Sequence, residues 1–407
     1  MSRLISHNYA AVVVGAGPAG IAVLGNLLEL GLTRIAWIDP VFDGGRVNSK
    51  YREVPSNTKV SFFRSYATGV QPFRNIAQTA KTPNAFSVMN KLDQDETCSL
   101  HYAADMIKDL TAGLMKMKQV SPFRGEVMSA NFEDNKSRWT VRIHSTDPSS
   151  TNIEVSTPRL ILCTGSSPKS LPSPTPSIAG TSSSSTNLTE LNLDTVLKPS
   201  LLAEVLPRDE AITIAVIGGS HSAILAIMNL VDLAQTTHPS LRLKWFTRNP
   251  LKYAEFMEGG WILYDNTGLK GQAAQFAREQ LEDSRLPNSV AGRFIEKVDT
   301  SDRTHEEEIY RSHLPGCTHV VYAIGYERNP LPELSRNGQA ILPLQGDLKW
   351  DSGFGGFLDA QGHVVPGLHG AGIAFPETVV DPRGNVEQAV GFFKFMKFLK
   401  RVTPTWI

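Results

Sequence analysis

Residues 15–20 read Gly15-Ala16-Gly17-Pro18-Ala19-Gly20, a G-x-G-x-x-G turn whose flanks decide what it means. Before it, Tyr9 to Val14 form a short, β-branched apolar run that reads as a buried strand of a parallel sheet. After it, Ile21 to Leu30 carries apolar residues at helical spacing until Gly31 stops the pattern. Strand, turn and helix follow in order. Gly15 permits the sharp turn, Gly17 lets the backbone approach a pyrophosphate, and Gly20 lets helix and strand pack closely; Pro18 and Ala19 complete the cradle. The helix N-terminus then offers free N–H groups to phosphates. A second apolar strand, Arg34 to Ile38, ends at Asp39, where a carboxylate would accept hydrogen bonds from a ribose. A dinucleotide is the expected ligand. Just beyond, Asp43-Gly44-Gly45-Arg46 is either an ordinary surface turn or a place where Gly45 and Arg46 meet that ligand.

A second unit of the same kind starts at Ile212. Ile212 to Ile217 reads as the strand, Gly218-Gly219-Ser220-His221-Ser222-Ala223 as an imperfect G-x-G-x-x-A turn, and Ile224 to Leu233 as the helix. Ser220 stands where the second glycine normally admits a phosphate, so its side chain must point away or bond the phosphate itself. His221 reads first as a turn residue with no chemistry of its own, although with Ser220 and Ser222 it belongs to the turn expected to bind the cofactor. The next strand, Leu241 to Phe246, runs into Thr247 and Arg248 rather than an acid, and an arginine there suits a 2′-phosphate.

Two further runs read as strands stopping at small-residue turns: Arg159 to Gly165, which includes Thr164, and His319 to Tyr326, which includes Gly325. They bracket the second unit, which predicts one domain inserted into another, the chain leaving after Gly165 and returning near Gly325. The expected fold is α/β, with two Rossmann-like three-layer dinucleotide-binding domains. Residues 1–165 and 319–407 form the outer domain, 166–210 a linker, and 211–318 the inserted domain with an insertion at 250–285. The linker is rich in Ser, Pro and Thr, including Ser182 to Thr186, and reads as a mobile surface excursion without chemistry. In the insertion, Trp261 to Gly271 could roof a pocket, although aromatic residues more often pack a core.

Composition narrows the partners. The 407 residues are 41% hydrophobic and carry 40 basic against 40 acidic groups, so no net field draws nucleic acid or an anionic membrane. A small-molecule substrate is expected. Cys98, Cys163 and Cys317 form neither a C-x-x-C pair nor a zinc-ligand spacing, so no metal site or disulfide is expected and the cytosol fits. Arg3 and the apolar run Ala10 to Val14 imitate a signal peptide, but the glycine turn interrupts the run, and no apolar stretch is long enough to span a bilayer.

One glycine-turn domain interrupted by a second resembles the two-dinucleotide flavoprotein superfamily. Within it, Ile324-Gly325-Tyr326-Glu327-Arg328 resembles the A-T-G-Y-E segment of the N-hydroxylating and other class B flavin monooxygenases, and Thr58 to Phe63 is similar to the segment that passes the flavin in the N-hydroxylating members. The resemblance implies FAD in the first site and NADPH in the second. It also implies that reduced flavin reacts with oxygen to a C4a-hydroperoxide, which transfers one oxygen atom to the substrate. Pro366 to Ala374, with Gly370 and Gly372, matches the family's glycine-rich segment that closes over the flavin. The helix after it, about Asn385 to Leu399, would aim its N-terminus at the ring. Ala371 replaces the usual aspartate of a Gly-Asp pair there, so the ribityl contact must come from elsewhere. That last helix carries Lys394, Lys397, Lys400 and Arg401 beside four phenylalanines, and reads as core-packed with a basic edge, a membrane-surface helix being the alternative.

The readings left open are a flavin oxidase or dehydrogenase with a vestigial second domain, a Baeyer–Villiger oxygenation, for which no F-x-G-x-x-x-H-x-x-x-W stretch is present, and a non-redox flavoprotein. No acid–base pair stands out. Asn57 and Thr58, before the flavin-passing segment, are candidates to touch ring or substrate, and Lys270 in the insertion is another.

Overall fold

The computed structural model describes residues 7–146, 152–171, 188–341 and 348–407; Arg3 and Ser182 to Thr186 lie outside them. Two sheets organise the chain. In the larger, five strands run parallel side by side in the order Val120–Glu133, Ile35–Asp39, Ala11–Val14, Leu160–Leu162, Val364–Gly370. Chain order 3-2-1-4-5 across such a sheet is that of a Rossmann-like nucleotide fold. Antiparallel strands extend both flanks. The second sheet is wholly parallel, ordered Thr189–Glu190, His319–Tyr322, Thr213–Ile217, Arg242–Thr247, Ile295–Asp299. The central strands, Ala11–Val14 and Thr213–Ile217, are buried almost throughout because parallel strands carry layers on both faces.

The chain passes between the sheets twice, and the two crossings pair with each other. Ser166–Pro168 runs antiparallel to Tyr326–Arg328, so the outgoing and returning segments form one two-stranded neck. Gly165 (φ +74°) and Gly325 (φ +105°) turn the backbone into that neck in a region that side chains disfavour.

Three expectations about local structure are corrected. Residues 188–206 are an ordered part of the second unit: after the edge strand come helices Leu193–Val196 and Pro199–Val205, and Leu191, Leu193, Val196, Leu197, Leu202 and Leu206 are buried in its core. The Ser/Pro/Thr content around them hid that apolar spacing. The last helix begins at Phe392, not near Asn385. Val386–Ala389 is instead a strand paired with Glu377–Val380, its alternation satisfied by the hairpin, and Gly391 (φ +143°) separates strand from helix. Both nucleotide helices start at the turn itself, at Pro18 and His221, because the third turn residue, Gly17 or Ser220, is the extended cap and the fourth already takes helical geometry.

The last helix packs into the first unit. Phe392, Phe395, Met396, Phe398, Leu399 and Val402 are buried, and Phe392 meets Phe63 edge-on at 5.3 Å, while Lys397, Lys400 and Arg401 face solvent. Among the described residues no helix is long and apolar enough to cross a membrane.

Candidate active site between two nucleotide turns

The first turn is walled by glycines from three parts of the chain. Gly15 (φ +103°) lies on the end of the neighbouring strand, where a Cβ would strike the carbonyl oxygen of Cys163. Gly17 caps the helix with an ordinary φ of −78°, and a Cβ there would meet nothing within 4 Å. Its open face is flanked on both sides. A Cβ on Gly45 (φ +70°) would stand 3.1 Å from Gly17 Cα, and one on Gly372 (φ +88°) would stand 2.5 Å from Ala19 Cβ. The Gly44-Gly45 loop and the C-terminal glycine segment therefore close on the same helix end, and Gly370 backs that segment onto the ring of Phe375.

Polar groups complete the cradle. Asp39 accepts the N–H of Ala16 at 2.7 Å and those of Val41 and Phe42 at 2.9 and 2.7 Å, so it pins the turn. Pro18 accepts from the Tyr66 hydroxyl at 2.6 Å. Thr164 Oγ1 is buried without a protein partner, an orphan that a bound ligand oxygen or amide would satisfy. Open Gly17, glycine walls, a helix N-terminus and an orphaned hydroxyl together fit a dinucleotide such as FAD.

Arg46 departs from expectation. Its guanidinium pairs with Asp194 of the second unit, and bonds the Tyr51 hydroxyl through Nε and Nη2 at 3.3 and 3.2 Å. Tyr51 in turn donates to Asp194 at 3.0 Å, and burial first, then Tyr326, pushes its phenol far above the ordinary range. Arg46 therefore ties the first turn's loop to the second unit, and its reach toward a ligand is limited by that ion pair. Asn329 extends the tie, donating to Thr164 O at 2.8 Å and accepting from Ser167 at 2.7 Å.

The second turn repeats the first. Gly218 (φ +133°) lies against the carbonyl of Ala323 as Gly15 lies against Cys163, Ser220 caps its helix where Gly17 caps the other, and buried Ala223 stands for Gly20. Ser220 is exposed and makes no capping bond, leaving its hydroxyl for a ligand. His221 Nδ1 is buried without a partner, and burial, then the nearby Lys270 ammonium, push the imidazole down to about 4. Ser222 follows on the same helix turn. Arg248 leaves its strand end as expected, but Glu306 holds the guanidinium through Nε at 2.8 Å and through Nη2. One face of that cation is already occupied.

The insertion touches both units. After a hairpin, Glu255–Phe256 with Ile262–Leu263, residues 264–271 lead into a helix from Gly271 to Phe276. Gly271 (φ +53°) approaches the strand Pro55–Lys59 so closely that a Cβ would lie 3.2 Å from Ser56 O, which brings Lys270 beside the strand bearing Asn57 and Thr58. Thr58 Oγ1 donates to Asn57 Oδ1 at 3.1 Å. Lys270 is not a free base: Asp265 accepts from it through its carboxylate and through its backbone oxygen at 2.5 Å. Asp265 also pairs with Lys394 of the last helix at 2.7 Å.

Sequence reasoning missed two residues that shape the turns. Trp37 Nε1 donates to Gly15 O at 3.0 Å and Trp245 Nε1 to Gly218 O at 2.7 Å, both rings fully buried. A tryptophan central in the strand after each glycine turn was the available signal.

No protein-family profile matches the chain. It is 59% identical over 399 residues to the monooxygenase AgnR1 of Paecilomyces divaricatus, covering 98% of both proteins. Among solved structures it superposes on FAD-bound OTEMO with a TM-score of 0.54 at 12% identity, over 98% of each chain. Closed cyclohexanone monooxygenase aligns over 67% of this chain at 17% identity and a TM-score of 0.37, and the chain spans only 43% of that enzyme's length. With near-complete coverage at this identity, the chain belongs to the monooxygenase family of AgnR1.

Proposed function

We propose that this chain is an FAD-dependent, NADPH-reduced monooxygenase that inserts one oxygen atom into a small organic substrate. The observation that carries this reading is the pair of like-built turns, Gly15 with Trp37 and Gly218 with Trp245, on two sheets joined by a paired neck. FAD is held by Gly15, Gly17, Pro18, Ala19 and Gly20, with Asp39 at the ribose and Gly45, Thr164, Gly165, Gly370 and Gly372 around it. NADPH is held by Gly218, Ser220, His221 and Ser222, with the free edge of Arg248 toward the 2′-phosphate. Asn57, Thr58 and Lys270 border the space between, where the substrate enters. Gly325 and Arg46 shape the neck rather than the chemistry.

When bound, FAD supplies hydride acceptance and oxygen activation; the protein's part is to hold both dinucleotides and keep water from the space between them. Residues 1–165 and 319–407 form the FAD domain and 211–318 the NADPH domain, with 188–206 counted to the latter. All three cysteines are unpaired, in keeping with a cytosolic location.

The test is to load the purified chain with FAD and mix it with NADPH in air. Flavin colour that bleaches with NADPH and returns with oxygen supports the reading; flavin that NADPH leaves oxidised overturns it.

A further inference from the structure

Lys394 sits in a costly place. It occupies the first turn of the last helix, where the macrodipole repels a cation, and no acidic residue lies in that turn. Its side chain is also largely buried. Burial pushes its ammonium down, against the pull of Asp265. The carboxylate that pairs with it, Asp265, belongs to the other nucleotide unit.

The pairing is over-determined. Asp265 accepts from Lys394 at 2.7 Å and from Lys270, and these cations hold its carboxyl below the usual range although burial alone would raise it. The next residues fasten to the same part of the first unit. Glu387, buried in its hairpin, accepts from Asn266 N at 3.0 Å, Asn266 Nδ2 at 3.1 Å and Thr267 Oγ1 at 2.5 Å. Lys394 also donates to Asn266 Oδ1 at 2.6 Å. Two cations and two carboxylates thus form a neutral clasp, with Lys270 at one end beside His221 in the second turn and Lys394 at the other in the helix that closes the first unit.

We infer that Asp265 is a positioning residue: clamped between Lys270 and Lys394, it fixes how far the second nucleotide turn stands from the first. This rests on the two-cofactor reading above. Hydride transfer is steep in distance and alignment, whereas affinity for the reductant is set by the second turn and Arg248. Loosening the clasp therefore lowers the rate of transfer more than the affinity.

The experiment compares Asp265→Asn, Asp265→Glu and the double variant Asp265→Asn/Lys394→Met with the parent. Anaerobic flavin reduction is followed against NADPH concentration, together with FAD content, thermal midpoint, and amide hydrogen exchange of residues 262–271 and 386–390 in the protein without cofactors. Asp265→Asn is expected to cut the limiting reduction rate at least tenfold, change the half-saturating NADPH less than threefold, and speed exchange in both segments. Asp265→Glu should recover most of the rate. The double variant removes one cation together with the carboxylate and leaves the cluster neutral, so it should regain most of the thermal midpoint but not the rate. A limiting rate within twofold of the parent, unchanged exchange, or recovery of the rate in the double variant overturns the proposal. If NADPH fails to reduce the parent's flavin, the two-cofactor reading is what falls, and the exchange result still decides whether Asp265 ties the units.

Discussion

The indole nitrogen of Trp245 donates to the carbonyl oxygen of Gly218 at 2.7 Å, and Trp37 does the same for Gly15 at 3.0 Å in the other unit. Each glycine has positive φ, so its carbonyl turns away from the sheet and loses a ladder partner inside a buried region. A tryptophan on the adjacent strand replaces that partner and freezes the orientation of the turn. The turn backbone proposed to meet phosphate is thereby held in place before any ligand arrives.

Replacing Trp245 by phenylalanine keeps the bulk and removes the donor. An orphaned buried carbonyl costs about 1–3 kcal/mol, which a denaturant midpoint will register. FAD content should stay at the parent's level while half-saturating NADPH rises severalfold. Trp37→Phe should show the mirror result, with FAD lost first.

Gly17 and Gly15 separate ligand binding from folding. Gly17→Ala places a methyl in open space at an ordinary φ, so stability should change by no more than about 0.5 kcal/mol while FAD affinity falls at least tenfold. Gly15→Ala meets both strain and the Cys163 carbonyl and should lose roughly 1–3 kcal/mol of stability. Calorimetric FAD titration beside thermal melts checks both.

The proposed contact of Arg248 with the 2′-phosphate predicts a preference between reductants. Arg248→Ala should lower the preference for NADPH over NADH by about tenfold, equivalent to roughly 1.4 kcal/mol. Glu306→Gln weakens the hold on the guanidinium and should sharpen the preference instead. Initial rates of flavin reduction with each nucleotide measure it; equal preference in all three proteins would remove Arg248 from the site.

His221 and His369 make acid sensitivity predictable. Burial, then Lys270 for one and Arg159 for the other, push both imidazoles down to about 4 from an ordinary 6.5. The unfolded chain takes up protons first, so their contribution is complete above about 6.5 and lost as pH falls through 4. Each histidine accounts for roughly 3 kcal/mol across that window at most. His221→Asn should flatten the acid limb of a urea-midpoint profile; an unaltered limb would mean that His221 is not neutral when folded.

What was legible in the sequence was what local backbone geometry writes there. Gly15, Gly17, Gly20 and Asp39 lie within one strand-turn-helix-strand unit, and the repeat at Gly218 to Ala223 follows the same grammar despite Ser220. The neck was visible as two runs stopping at glycine. What stayed hidden was long-range pairing of polar side chains. Arg46 and Asp194 are 148 residues apart, and nothing in either neighbourhood announces the other. Asp265 was not singled out within Trp261 to Gly271 because its partners Lys270 and Lys394 share no periodic pattern with it. The start of the last helix was misplaced because Val386 to Ala389 suits a strand once Glu377 to Val380 is there to pair with it.

Anaerobic mixing of the FAD-loaded chain with NADPH, and with NADPH deuterated on the transferred position, tests the central claim most directly. The account predicts full bleaching of the flavin, saturating with nucleotide concentration and slowed severalfold by deuterium, because the hydride passes straight from one site to the other. Flavin that remains oxidised at saturating NADPH would contradict it.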